Sequence, residues 1–286
     1  MMKRQFGNTG YEVFPVAYGG IVSMQDGQDL SDRYVSWAVD KGVNYFDVAP
    51  SYGDAEEKLG NSLKPYRKDV YLTCKTTCRF IKDAQPEMEK SLKLLHTDYF
   101  DVYQMHALSS LEDVEQAFSS GGVMEMMIRM KEQGIARKLG ITCHSEEAAL
   151  KALSLYPFDT VLFPFNWHMH MGHNMGSKLM LTAKTQGVGV LAMKQLVERA
   201  WQEGEARDAY PKSWCKPFSA DQTQLRLAAM KYVLDMGADI LVPPGNFECF
   251  SFVVDNVEKC LANPFNEADK ELLQAHYETV KEYPFF

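Results

Sequence analysis

The chain has 286 residues, 46% of them hydrophobic, and carries 30 Lys and Arg against 38 Asp and Glu, a formal charge of −8 at pH 7. That apolar content excludes a disordered chain, and an acidic balance with dispersed cations argues against nucleic acid as a partner. Length alone leaves two architectures open, two domains or one large barrel.

The start, Met1-Met2-Lys3-Arg4-Gln5-Phe6-Gly7-Asn8, is basic, but no apolar stretch follows it, so it does not read as a signal peptide. No run of about 18 apolar residues occurs, which argues against a membrane-spanning helix. Six cysteines (Cys74, Cys78, Cys143, Cys215, Cys249 and Cys260) form no CxxC pair. The expected setting is a reducing cytoplasm, with no disulfide framework, zinc finger or iron–sulfur cluster.

Along the chain, apolar runs of strand type alternate with helical patterns. The predicted strands are residues 14–17, 43–47, 70–74, 99–105, 138–141, 160–165, 188–192 and 239–242. A helix is expected over 219–236, with Ser219 and Gln222 as a capping-box pair. Leu225, Ala228, Ala229, Tyr232 and Met236 share one face, and Gly237 stops it. A last helix is expected after Asn266 as cap, with Leu273, Tyr277 and Val280 on one face. Eight strands alternating with helices favour one α/β domain over residues 1–286, a (β/α)8 barrel, over a doubly wound sheet. No GxGxxG follows a strand, and Gly172 and Gly176 are one residue too close for a Walker A loop.

In such a barrel the C-terminal strand ends converge on one mouth, where chemistry occurs. Asp47, Lys75 and His106 end the second, third and fourth predicted strands, and Tyr52 follows Asp47 in the next loop. One ionisable residue at a strand end is usually a solvated or paired surface group; four in register form a chemical set. A phenol near pKa 10 is a poor proton donor at neutrality. An adjacent ammonium from Lys75 should lower that value, with Asp47 holding Lys75 charged and His106 bonding a substrate oxygen. The set suits carbonyl reduction with Tyr52 as general acid.

These residues carry a resemblance to the aldo-keto reductase superfamily. Asn44–Gly53 resembles the FD-x-A-x-x-YG motif, and Lys75 and His106 occupy the remaining tetrad positions. The opening Arg4–Gly10 is similar to the short hairpin ahead of the family's barrel. Gly140-Ile141-Thr142, Leu191-Ala192-Met193-Lys194, Val242-Pro243-Pro244-Gly245 and Asp255-Asn256 extend the likeness. The resemblance implies an N-terminal hairpin, a TIM barrel, a C-terminal helix, and NADPH- or NADH-dependent exchange between carbonyl and alcohol. It also implies cofactor contacts at Gly20, Ile21, Asp47, Thr142, Cys143, His144, Met193, Lys194, Gly245, Asn246, Glu248, Asp255 and Asn256.

Four features stand out against that pattern. Thr142-Cys143-His144 stand where relatives place Ser-Asn, and Leu162 or Phe163 stands at the usual Gln position. The loop from Pro243 to Glu248 has no Lys or Arg for a 2′-phosphate, and none follows before Lys259. Glu248 therefore has two readings: a ribose-bonding group that favours NADH, or an acidic first-turn residue of a helix. Asn166–Met175 holds His168, His170 and His173 among methionines. Metal binding is weighed there against substrate contact or loop packing, and the latter are favoured. Residues 195–217 form an insertion with Trp201, Tyr210 and Trp214, whose rings have two equal readings, stacking on a sugar or ring substrate or apolar packing of a lid, and such a lid would also cover the cofactor.

The expected partner is a small carbonyl or sugar, with no membrane partner and with monomer and homo-oligomer both open. Two competing functions are a sugar-processing enzyme with transient oxidation and no net redox change, and a cofactor-sensing regulatory subunit. The complete tetrad and the lack of an extra N-terminal segment argue against the second.

Overall fold

In the computed structural model, which describes residues 2–285, the chain opens with an antiparallel hairpin of β1 (Arg4–Gln5) and β2 (Glu12–Val13). Parallel strands follow: β3 (Tyr18–Gly19), β4 (Tyr45–Asp47), β5 (Tyr71–Thr76), β6 (Phe100–Leu108), β7 (Ala136–Cys143), β8 (Thr160–Phe163) and β9 (Gly189–Met193). A small hairpin of β10 (Val197–Arg199) and β11 (Lys216–Pro217) intervenes before the eighth parallel strand, β12 (Ile240–Val242). β12 pairs with β9, and a parallel bridge from Val16 to Leu241 brings it to the start of the sheet. The result is a (β/α)8 TIM barrel.

The first strand differs from expectation. Residues 14–17 form the closing seam rather than a full strand, and regular pairing begins only at Tyr18. Pro15 has no N–H to give a ladder. Its carbonyl accepts from Leu241 N–H at 3.0 Å, and Ala17 N–H donates to Leu241 O at 2.9 Å.

Strand alternation sorts the side chains. Ala17, Tyr45, Val102, Leu162, Leu191, Ile240 and Val242 fill the barrel interior with Phe6 of the hairpin. Phe46, Leu72, Tyr103, Ile141, Val161 and Val190 face outward to the helices. The hairpin plugs the N-terminal end: Phe6 meets Tyr45 edge-on at 5.5 Å, and Tyr11 stacks on Tyr71 at 4.2 Å. Gly7, at φ +48°, lets that plug approach closely, because a Cβ there would lie 2.4 Å from Gly189 N.

The helices are α1 (Gln28–Asp40), α2 (Ala55–Leu63), α3 (Ile81–Leu94), α4 (Leu111–Phe118), α5 (Val123–Glu132), α6 (Glu146–Leu155), α7 (Trp167–His173), α8 (Ser177–Gln186), α9 (Thr223–Met236), α10 (Phe247–Ala262) and α11 (Glu267–Val280). Among the described residues, none is long and apolar enough to cross a membrane. α9 begins four residues later than expected. The Gln222 carboxamide does accept Ser219 N–H at 2.8 Å, but the Ser219 hydroxyl donates to Asp221 and Gln222 instead of capping the helix. Its buried residues are Arg226, Leu227, Ala228, Ala229, Met230 and Val233; of the expected face, Ala228 and Ala229 are fully buried with Leu273 of α11, while Leu225, Tyr232 and Met236 are half-buried. α11 begins at Asn266 as expected, in a full capping box with Asp269.

Beneath the barrel one carboxylate organises three segments. Asp101, 1% exposed, accepts from Arg67 and Arg137 at 3.0 Å each and from Leu72 N–H at 2.9 Å. The two guanidinium groups each lie 4.1 Å from the Tyr99 ring centre. Removing Asp101 strands the largely buried Arg67 and the Leu72 N–H, whereas the half-exposed Arg137 stays solvated. Asp101→Ala should therefore lower unfolding free energy by about 3 kcal/mol in urea titration. A loss below about 1 kcal/mol would show that the arginines find other partners.

Candidate active site

The tetrad is assembled by register and two turns. Asp47 ends β4 and lies opposite Thr73 of β5. Lys75 is two residues further along β5, so its amine can reach back to Asp47. The Nζ–Oδ2 distance is 2.6 Å, with both side chains almost wholly buried. After Asp47 the chain turns twice: Tyr52 N–H donates to Ala49 O, and Ala55 N–H donates to Tyr52 O, each at 3.0 Å. Gly53, at φ +58°, permits the second turn and starts α2. Tyr52 thus returns over the mouth, its ring 5.7 Å from the Lys75 amine and 5.7 Å edge-on from the His106 ring. His106 precedes a bulge in β6, where Ala107 takes φ +55° and donates its N–H to Thr142 Oγ1 at 2.7 Å. The four side chains come together as the sequence implied.

Their electrostatics differ from expectation at one point. Burial raises the Tyr52 pKa above its ordinary value, and Lys75, pulling it down, does not reverse the shift. The expected net lowering is therefore corrected: removal from water outweighs one ammonium. Burial also raises the Asp47 pKa against the opposing pull of Lys75. Lys75 itself moves up, because Asp47 and Tyr52 together overcome the burial that would lower it. Burial, followed by Lys75, lowers His106 to about 3, so its imidazole is neutral near pH 7. His106 Nδ1 and Asp47 Oδ1 are buried without a protein partner.

Beside the tetrad lies a cavity that, with its open mouth, holds about 660 Å³ of empty space. Asp47 and Tyr52 form one wall, and Leu162, Met193, Val197 and Val242 give an apolar surface. Leu162, not Phe163, faces it; Phe163 belongs to the outer core. Gly19, Ile21, Lys194 and Gly245 complete the rim with Lys212–Cys215 of the insertion. Gly245 is needed there, since a Cβ would lie 2.2 Å from Ile21 and 3.0 Å from Lys212 O. This lining fits a nicotinamide cofactor: an apolar wall for the ring, and the Lys194 amine suited to phosphate charge. Lys212 reaches across to Val22 O at 2.8 Å and Asp26 at 2.6 Å, so the insertion covers the cavity as expected of a lid.

Other expected cofactor positions are placed differently. Gly20 packs on Val48, and Thr142 braces the His106 bulge. Cys143 lies in the core, and half-buried His144 has its pKa lowered to about 4 by burial and then by Lys194. Asn246 accepts from the Ser213 hydroxyl at 3.0 Å, tying the insertion to α10. Asp255 is on the outer face of α10 with Lys41, and Asn256 donates to Phe252 O within the helix; neither lines the cavity. The helical period turns them away from it.

Glu248 is the second residue of α10 and accepts from Arg226 at 2.6 Å. Sequence reading missed this cation because it arrives from α9. The available signal was an arginine between Leu225 and Leu227, in a row the helix buries. The expected loop at His168–His173 is instead α7, with Asn166 capping His168 and Met169 N–H. His168 Nδ1 lies 3.1 Å from Glu198 O, and His170 bridges Tyr232 and Ser177 at 2.6 and 2.7 Å. These two imidazoles pack through ordinary hydrogen bonds.

Residues 20–245 match the model of the aldo/keto reductase family. An aldo-keto reductase of Bacillus subtilis, YhdN, is 30% identical over 164 residues, 52% of this chain and 48% of the relative. The chain thus matches about half the length of the first curated relatives. L-galactose dehydrogenase of Arabidopsis thaliana is 27% identical over 83% of this chain and 76% of that protein. The holo form of an aldo-keto reductase from Bacillus halodurans shares the fold, with TM-score 0.71, 21% identity and 96% of each chain covered.

The buried imidazoles imply an acid limit to stability. The folded-state pKa values of His106 and His144, about 3 and about 4, lie below the ordinary His value of 6.5. Protonation then favours the unfolded chain, so stability present above pH 6.5 falls as pH drops toward 4. Thermal unfolding should show this loss, and His106→Asn should reduce its slope. An unchanged slope in that variant would contradict a neutral buried His106.

Proposed function

The chain belongs to the aldo/keto reductase family, and on that premise we propose that it reduces an aldehyde or ketone with NADPH or NADH, or oxidises the matching alcohol. The observation that carries this reading is the buried Asp47–Lys75 pair, held at 2.6 Å directly beside Tyr52 and His106. When bound, the reduced nicotinamide supplies a hydride. Tyr52 gives its hydroxyl proton to the carbonyl oxygen as that oxygen gains charge. Lys75 stabilises the phenolate left behind, and Asp47 keeps Lys75 protonated and oriented. His106, neutral at working pH, hydrogen-bonds the same substrate oxygen and fixes its position. The apolar wall excludes water from this exchange.

A sugar, oxidised at a hydroxyl, is the second substrate class supported. L-galactose dehydrogenase matches over most of this chain. Trp214, 65% exposed with its ring 6.4 Å from that of Tyr52, offers a face on which a sugar ring could stack.

For the adenosine end, NADH binding at least as tight as NADPH is the proposal. The Glu248 carboxylate is about half exposed beside the loop and already occupies Arg226. It can accept from ribose hydroxyls, whereas a 2′-phosphate must overcome its charge or displace it from Arg226.

Tyr52→Phe should lower turnover by about two to four orders of magnitude while cofactor affinity stays within about twofold. Unchanged turnover would remove Tyr52 from the proton step. Cofactor fluorescence titration should give Kd for NADH no weaker than for NADPH. NADPH preference beyond about tenfold, or about 1.4 kcal/mol, would overturn the role given to Glu248.

A further inference from the structure

The inward positions around the tetrad carry a second set of polar groups. Tyr45 lies two residues before Asp47, Thr73 two before Lys75, and Gln104 two before His106. Strand alternation therefore aims each into the barrel on the same side as its tetrad neighbour. All three are fully buried. Register places them across strands as well: Thr73 opposite Asp47, and Gln104 opposite Lys75. Much of the interior is apolar, with Val102, Leu191 and Ile240, so this polarity is local.

Gln104 Oε1 has no protein hydrogen-bond partner, and Tyr45 OH and Thr73 Oγ1 have at most each other: Thr73 lies close enough to lower the Tyr45 pKa, but no well-formed hydrogen bond joins them. Asp47 Oδ1, on the side of the carboxylate that Lys75 does not take, is likewise unpartnered. Only the amide nitrogen of Gln104 is used, donating to Thr160 Oγ1 at 3.3 Å. Buried polar atoms are rarely left so; an internal water with two to four polar partners is the usual solution.

We propose that Thr73 and Tyr45 form an internal water-binding site against Asp47 Oδ1, and that Thr73 is a positioning residue acting through Asp47 on Lys75 and Tyr52. The water donates to Asp47 Oδ1 and accepts from the Thr73 hydroxyl. Asp47 is thereby held ionised with its other oxygen turned to Lys75. The groups facing the pair are Tyr52 from the loop, Tyr45 on β4, Cys74 on β5 and His106 on β6, with Asp101 and Tyr11 acting on Tyr45 from below. Of these, Tyr52 receives the effect. Without the water Asp47 binds a proton more readily and holds Lys75 less firmly; because the Asp47 charge raises the Tyr52 pKa while Lys75 lowers it, losing that charge leaves Tyr52 the stronger acid. Hydration of the layer stands independently of the reductase reading; its kinetic consequence rests on that reading.

The test uses the full chain, Thr73→Val, which keeps the shape and removes the hydroxyl, and Thr73→Ser, which keeps the hydroxyl. Atomic-resolution crystal structures should show an ordered water bonded to Asp47 Oδ1 and Thr73 Oγ1 in the parent and in Thr73→Ser, and none in Thr73→Val. With 4-nitrobenzaldehyde as probe and either cofactor, Thr73→Val should lower kcat about five- to tenfold with KM and cofactor Kd within about twofold. Its alkaline fall in kcat should move to lower pH, and Thr73→Ser should restore the parent profile. A direct Thr73–Asp47 hydrogen bond without water, or a parent-like pH profile in Thr73→Val, overturns the proposal. If the parent reduces no probe with either cofactor, the reductase reading fails, and the paired structures alone decide whether the layer is hydrated.

Discussion

Two opposite charges buried at the mouth of the barrel set the conditions for everything around them. Asp47 and Lys75 are almost wholly removed from water, and a charge so placed is costly unless paired and held. The geometry that holds them is the two-residue offset between β4 and β5, fixed by ladder register rather than by side-chain choice. Replacing such a pair by apolar residues is often neutral or stabilising. Its presence here is better explained by what it does to its neighbours. The same burial that strengthens the pair keeps His106 neutral and opposes ionisation of Tyr52. One dry environment therefore yields a protonated donor and an uncharged hydrogen-bonding partner side by side.

The rest of the fold maintains that environment from two directions. The N-terminal hairpin closes the far end with Phe6 and Tyr11, so the interior opens only at the mouth. The insertion between β9 and α9 covers the cavity through Lys212, which reaches the segment after β3, and Ser213, which bonds Asn246. These ties join three separate stretches of chain around Gly245, where no side chain fits. Arg226 and Glu248 add a fourth contact at the head of α10. The acidic net charge did not leave this end without a cation; the fold brought one from a neighbouring helix.

Much of the site was legible because its members are set by local position. Asp47, Lys75 and His106 lie at strand ends, and a strand end can be read from the point where an apolar run stops. Tyr52 follows Asp47 too closely to lie far from it. Boundaries were less legible where one backbone atom decides them. Pro15 turns the expected first strand into a seam, and Gln222 displaces Ser219 at the start of α9. The histidine-rich segment became α7 because Asn166 caps it. That cap is visible in the sequence, but the striking residue types drew attention from it.

The sequence by itself determined the alternating architecture, the four chemical groups and their order along the chain, because these follow from short-range periodicity and residue type. Tertiary structure alone decided the balance between burial and Lys75 at Tyr52, since removal from water depends on the whole enclosure. It alone placed Arg226 on Glu248 and turned Asp255 outward to Lys41, because contacts between helices depend on rotations that strand and helix periods leave free. It also set the unpartnered Asp47 Oδ1 beside Thr73, two residues that strand register brings together from far apart in the chain.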